Sequence, residues 1–243
     1  MRIELSAAFA VLLSFSPLTA QAETIRVAHD QRFPPFAEVK DGKSEGLAVD
    51  ILNAAAERAG LTIVYAPVPF TDIQKTLEDG RADAVFPLAI NPERRQVFDF
   101  SAPLVITGGA LFVRAPQPTP DSLKALAGKT VVTPKTGPLA GFIGKTAPEV
   151  KLVVNADYDQ SFAQLLSGEA DAAALNFQVG RKLASTLHAG KVTLPEKLFL
   201  ELPLAVAVRK GQHADLIAKL DKGIAAIRAD GTWQRIDRRW AGH

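Results

Sequence analysis

One eight-residue pattern occurs twice in the chain, and it limits the possible folds more than any other feature. Leu77-Glu78-Asp79-Gly80-Arg81-Ala82-Asp83-Ala84 and Leu165-Leu166-Ser167-Gly168-Glu169-Ala170-Asp171-Ala172 agree at Leu, Gly, Ala, Asp and Ala, 88 residues apart (77 to 165). At the same offset the aromatic Phe70 meets Tyr158. Each copy reads as a helix, a glycine stop and a short buried strand. Two copies this far apart do not make a short-period solenoid; they point to two similar α/β lobes.

The rest of the chain fits that reading. Strands are expected at Thr24 to Ala28, Thr62 to Ala66 and Ala84 to Phe86. Helices are expected at Gly46 to Ala59, stopped by Gly60, and at Thr71 to Asp79, stopped by Gly80. Alternating strands and helices imply parallel sheets. Gly109 to Arg114 is apolar and β-like and runs into the proline-rich stretch Ala115 to Pro120, after which Asp121-Ser122-Leu123 is predicted to start a helix. This reads as a crossing to the second lobe, and Leu200 to Arg209 as the crossing back. Helices at His213 to Ala229 and Thr232 to Trp240 then return to the first lobe. The expected division is residues 23–111 with 206–243 as lobe 1 and 112–205 as lobe 2, joined by two strands that can act as a hinge.

Composition excludes several function classes. The chain has 243 residues with 28 basic and 26 acidic side chains, a net charge of +2. No basic tail or stripe is present, so nucleic acid is not an expected partner. Residues 1–22 read as a signal peptide: Arg2, an apolar run from Ala7 to Phe15, then Ser16-Pro17 and the small-residue site Ala20-Gln21-Ala22, with cleavage expected after Ala22. The apolar run is too short to span a bilayer, and nothing after it reads as a membrane helix. Cysteine is absent, which removes disulfides, thiol catalysis and a lipidated thiol. An exported, unlipidated, disulfide-free protein fits a bacterial periplasm. His29, His188, His213 and His243 are too scattered for a metal site. Gly128-Lys129-Thr130 and Gly144-Lys145-Thr146 lack the glycine that a phosphate-binding loop needs five positions earlier; Leu123 and Leu139 stand there. No cofactor or metal is expected.

In open α/β sheets, ligands bind beyond the carboxyl ends of the strands. The repeat marks two such ends, running into Pro87-Leu88-Ala89 and into Asn176. Just past the first lies Asn91-Pro92-Glu93-Arg94-Arg95. Asn91 suits an N-cap and Pro92 the first helical position, so Arg94 or Arg95 sits on a short helix at the cleft mouth. A guanidinium there can hold a carboxylate through two parallel hydrogen bonds. An ordinary surface arginine, or one paired with Asp99, is the competing reading.

These residues resemble family 3 extracellular solute-binding proteins, the polar-amino-acid receptors of ATP-driven (ABC) importers, over nearly all of the mature chain. The segments that carry the resemblance are Asp30 to Phe36, Gly46 to Ile51, Gly80 to Ala84, Asn91 to Arg94, Asp99 to Pro103 and Ile227 to Trp233. The resemblance implies a type II periplasmic-binding-protein fold, two lobes of mainly parallel sheet flanked by helices. It also implies a monomer that needs only a small carboxylate ligand and a membrane permease as partners. Arg94 falls at the family's carboxylate-binding arginine and Phe33 at its ring-covering aromatic, with Phe70 as a second wall. Backbone groups of Leu88 and Ala89 would face the ligand. The turn at Lys135-Thr136-Gly137-Pro138 matches a loop that donates amides, with Thr136 and Gly137 as the donors.

The chain also departs from the family. Asn176 stands where members that bind α-amino acids place an aspartate to hold the ammonium group. A neutral amide cannot balance a buried ammonium, and Asp30 could supply that charge from lobe 1 instead. Ala89 stands where a hydroxyl residue often helps to bind the carboxylate, and Asn91 replaces the usual threonine. A carboxylate-bearing ligand is expected, an amino acid or a related organic acid. Two alternatives remain. One is an enzyme resembling cyclohexadienyl dehydratase on the same fold, for which Asn176 offers no acid although Asp30 or Glu38 could. The other is a ligand-sensing partner of a membrane protein.

Overall fold

The computed structural model describes residues 23–135 and 138–241. The expected signal peptide, Thr136, Gly137 and His243 therefore lie outside the described residues. The first half of the chain supplies β1 (Glu23–Asp30), β2 (Arg32–Phe33), β3 (Ala37–Lys40), β4 (Lys43–Glu45), α1 (Leu47–Arg58), β5 (Leu61–Val68), α2 (Ile73–Glu78), β6 (Ala84–Ala89), α3 (Arg94–Val97), β7 (Phe98–Phe100) and β8 (Val105–Arg114). The second half supplies β9 (Thr130–Pro134), α4 (Leu139–Thr146), β10 (Lys151–Asn155), α5 (Tyr158–Ser167), β11 (Ala172–Asn176), α6 (Phe177–Leu187), β12 (Val192–Thr193) and β13 (Leu200–Arg209). The chain then ends with α7 (Ala214–Ala229) and α8 (Thr232–Trp240).

Strands β2 to β4 form a small separate sheet, and the others build one sheet in the order β10-β9-β11-β8-β13-β6-β1-β5, with β7 and β12 at its margins. Its two ends are parallel: β1 with β5 and β6, and β9 with β10 and β11. The two central strands, β8 and β13, are antiparallel to each other and to their outer neighbours β11 and β6.

The register of these ladders creates a cleft. Leu204 of β13 pairs with Ala89, the last residue of β6, and with Val105 of β8. Leu200 of β13 pairs with Gly109 of β8, which also pairs with Asn176, the last residue of β11. The two parallel half-sheets therefore point their carboxyl ends at each other. Only the stretch from Val105 to Gly109 and its partner strand lies between them, five residues whose four steps span about 14 Å at the rise of a strand.

Each half-sheet is covered on both faces, which is why β6 and β11 read as unbroken apolar runs. In lobe 1, α1, α7 and α8 cover one face with Leu52, Leu220, Ile224 and Ile236, while Ile73 and Leu77 of α2 pack on the other. In lobe 2, Leu139 and Ile143 of α4 cover one face, and Phe162 and Leu165 of α5 with Ala184 of α6 cover the other. The two copies of the repeat occupy equivalent places. Gly80 and Gly168 stop α2 and α5 at φ of +68° and +88°, backbone that glycine adopts freely. Asp83 donates its N–H to the Arg26 carbonyl, and its carboxylate accepts the Arg26 N–H at 2.8 Å. Asp171 makes the same clamp on Thr130, again with the carboxylate at 2.8 Å.

The helix expected from Asp121 is instead a single 3-10 turn, Leu123–Leu126. Asp121 pairs with Lys197 at 2.8 Å rather than capping, and Gly128 at φ +74° ends the turn within one repeat. Helix α2 begins later than expected, after a 3-10 turn at Phe70–Asp72. The C-terminal helix α8 is fastened to lobe 1: Trp240 Nε1 and Arg239 Nη2 donate to Asp50, and Trp233 Nε1 donates to the Leu104 carbonyl. It also reaches lobe 2, where Arg181 of α6 lies 3.3 Å from Asp237.

Candidate functional site

In lobe 1 the site is built around the end of β6. The Asn91 side chain accepts the Arg94 N–H at 2.8 Å, three residues on, which is N-cap geometry. The cap starts α3 directly after the strand and orients Arg94 back toward it, so that Arg94 Nη1 donates to the Ala89 carbonyl at 2.9 Å. The guanidinium is half-buried, and no carboxylate lies within ion-pair distance among the described residues. Burial alone pulls its pKa below the ordinary arginine value, yet an arginine stays charged at neutral pH. It lines a cavity of about 430 Å³ together with Phe70, Thr71, Gln74 and the buried Leu88.

The neighbouring groups separate Arg94 from its rival. Arg95 is exposed and lies 5.9 Å from the Phe100 ring centroid. Asp99 is engaged elsewhere, with Lys210 Nζ at 2.6 Å and the Gly211 N–H at 2.7 Å. Phe70 is 56% exposed and also borders a second cavity of about 360 Å³ lined by Asp30, Gln31, Arg32, Pro69 and Thr71. Phe33 is half-buried and packs against Phe36 with ring centroids 4.9 Å apart, while Phe36 itself is core. The Asp30 carboxylate accepts the Arg32 N–H at 3.0 Å. Behind it, the fully buried His29 holds the Asp30 carbonyl at 2.8 Å and Ser44 Oγ at 2.6 Å. Its desolvation, opposed by Asp30, lowers its pKa and favours the neutral ring.

In lobe 2 the end of β11 carries Asn176. It caps α6, accepting the Val179 N–H at 3.2 Å, and its amide donates to Thr107 Oγ1 of β8 at 2.8 Å. Burial pushes the Tyr158 hydroxyl up to about 12, opposed by the neighbouring Asn176 backbone, so it is a neutral phenol. Lys135 is exposed. Lobe 1 thus gathers Arg94, Phe70, Leu88 and Ala89 on one wall with Asp30 beside them, and lobe 2 sets Asn176 and Tyr158 at the facing strand end. Sequence reasoning missed Thr71 and Gln74, polar residues flanking Phe70 that gave no pattern of their own, and missed Thr107 and Gln178. Tyr158 entered it only as the repeat partner of Phe70.

Known proteins share this architecture. The L-cystine solute receptor of Neisseria gonorrhoeae in its unliganded open conformation superposes with a TM-score of 0.78 at 24% identity, covering 91% of this chain and 93% of that one. Substrate-binding domain 2 of Lactococcus lactis GlnP, also open, gives 0.77 at 24% identity, with 91% and 97% covered. In sequence, the ABC transporter arginine-binding protein 1 of Escherichia coli is 27% identical over 238 residues, spanning 95% of this chain and 96% of the relative. The L-cystine-binding protein TcyJ of the same organism is 25% identical over 222 residues, spanning 90% and 83%. These relatives are binding proteins rather than enzymes. Among the described residues, no helix is long and apolar enough to cross a membrane. The pattern of the bacterial extracellular solute-binding proteins, family 3, matches residues 25–243, and the chain belongs to that family.

Proposed function

We propose that this protein is the periplasmic solute-binding component of an ABC-type importer and captures a small carboxylate-bearing solute, an amino acid or a related organic acid, between its lobes. The observation that carries the reading is Arg94: a half-buried guanidinium on a cavity wall, held in place by Ala89 and Asn91 and lacking a carboxylate partner among the described residues. A fixed guanidinium is suited to bidentate capture of a carboxylate. The names of the arginine- and cystine-binding relatives support an amino acid as one form of that solute.

In this reading Phe33 and Phe70 cover the solute, Asp30 faces its far end, and backbone groups of Leu88 and Ala89 complete the lobe 1 wall. Thr136, Gly137 and Asn176 close on it from lobe 2. The lobes are residues 23–111 with 206–243, and 112–205. They hinge about β8 and β13, and a permease recognises the closed form. The protein works as a monomer, exported by a signal peptide cleaved after Ala22.

A thermal-shift screen of the chain from Glu23 tests this. The panel holds amino acids, mono- and dicarboxylates and 2-oxo acids. A ligand at 100 times its Kd stabilises by about 2.7 kcal/mol, which raises the melting temperature by about 5–10 °C for a chain of this size. At least one carboxylate should do so; no shift with any of them contradicts the reading.

A further inference from the structure

Asn176 does not stand alone. It begins a buried chain of hydrogen bonds that runs back to a crossing strand. Its Nδ2 donates to Thr107 Oγ1 at 2.8 Å, Thr107 Oγ1 donates to Gln178 Oε1 at 2.5 Å, and Gln178 Nε2 donates to the Ile106 carbonyl at 3.1 Å. Thr107 and Gln178 are both buried. The two ends of the chain are backbone groups whose polarity is fixed. The Ile106 carbonyl can only accept, so Gln178 must turn its amide nitrogen toward it and its oxygen toward Thr107. The Thr107 hydroxyl has one proton, which Gln178 takes, so Thr107 must accept from residue 176. At the other end the Val179 N–H can only donate, so it takes the Asn176 oxygen. Every member has one possible orientation, and position 176 is left needing both an acceptor and a donor, which near neutral pH is a neutral amide and not a carboxylate.

A carboxylate at 176 breaks this order. Either it faces the Thr107 oxygen without a proton between them, or it takes the Thr107 proton and leaves the Gln178 oxygen buried and unpaired, and both are costly. We infer that Gln178, acting through Thr107, is a positioning residue that makes position 176 fit a neutral amide and not a carboxylate, and so bars that position from supplying the counter-charge for a bound ammonium group. The second half of that inference rests on the proposed function; the hydrogen-bond order does not. It follows that a solute without an α-ammonium group is the better fit, and that any ammonium must find its counter-charge away from position 176.

The test uses the chain from Glu23, without ligand, in the variants N176D, Q178M and N176D/Q178M. A protonated carboxyl restores the N176D wiring, because its O–H can donate to Thr107. Its folded pKa is then raised above the unfolded value of about 3.9, so the restored stability is present below that value and lost as pH rises through the folded pKa. N176D should melt close to wild type near pH 4 and at least about 2–4 °C lower at pH 8. With Q178M the Thr107 proton is free for the carboxylate, and N176D/Q178M should show no such pH-dependent deficit relative to Q178M. Tyr158 and Asp159 of α5, Arg181 and Lys182 of α6, Lys135 after β9, and Glu201 and Arg209 of β13 are the titratable groups on the elements around position 176, and β8 has none before Arg114. All are common to every variant, so the differences isolate the relay. A pH-independent N176D deficit, no deficit, or the same deficit in both backgrounds overturns it. If N176D does not fold at pH 8, recovery with Q178M supports the relay and failure to recover overturns it.

A binding arm uses a 2-amino acid and the 2-oxo acid with the same side chain. N176D/Q178M should raise the affinity ratio in favour of the amino acid by at least about 10-fold, the effect of placing an opposite charge beside the ammonium. An unchanged ratio overturns the specificity role. Absence of binding by wild type to either acid counts against the proposed function and leaves the stability result to decide the relay.

Discussion

The two lobes are built from one plan and finished differently. Strands β1, β5 and β6 correspond to β9, β10 and β11, in the same spatial order and with the same parallel pairing. Helices α1 and α2 correspond to α4 and α5, and Asp83 and Asp171 make the same clamp on a neighbouring strand. The divergence begins at the strand ends. After β6 the chain turns through a capped α3 that leaves the Arg94 guanidinium without a carboxylate partner among the described residues. After β11 the chain turns directly into α6, and Asn176 spends its side chain on the cap and on Thr107. A shared scaffold thus carries an unsatisfied charge on one side and a satisfied neutral relay on the other. The first is suited to hold a solute, the second to close on it.

The shared part should respond alike in both lobes, with the largest effect on stability. Asp83→Ala and Asp171→Ala each remove a charge-assisted hydrogen bond and should cost about 1.5–3 kcal/mol in chemical denaturation. Lys129, 3.7 Å from Asp171 and largely exposed, should add little to that side. Costs differing by more than about 1.5 kcal/mol would break the equivalence.

The divergent part should respond unequally. Without ligand, Asn176→Ala should cost about 1–2 kcal/mol, because it uncaps α6 and strips Thr107 of a donor. Arg94→Ala should change ligand-free stability by only about 0.5 kcal/mol, since among the described residues the side chain's polar partner is the Ala89 carbonyl. Denaturant titrations of both variants sharpen the contrast; a large cost for Arg94→Ala would make it a structural arginine like any other.

Much of this was legible in the sequence because it is local. The glycine stops, the apolar strands and the Asn91 turn that leads into α3, which itself begins at Arg94 rather than Pro92, each lie within a few residues, and the two-copy pattern extends them to a lobe. The parts that were not legible are long-range. Thr107 and Gln178 meet across 71 residues of chain, and neither carries a local motif. Asp121 looked like a helix start, but its carboxylate is taken by Lys197 from a distant loop. The register that brings Ala89 and Asn176 to opposite sides of one short gap depends on two crossing strands whose pairing no single segment encodes.

The central claim is that lobe 1 anchors the solute through Arg94. Titration calorimetry of wild type and Arg94→Ala, with a carboxylate that wild type binds, tests it most directly. Truncating one partner of a buried charge pair costs about 2–5 kcal/mol, so Kd should rise by at least about 30-fold. An affinity within about threefold of wild type would contradict the claim and place the anchor elsewhere in the cleft.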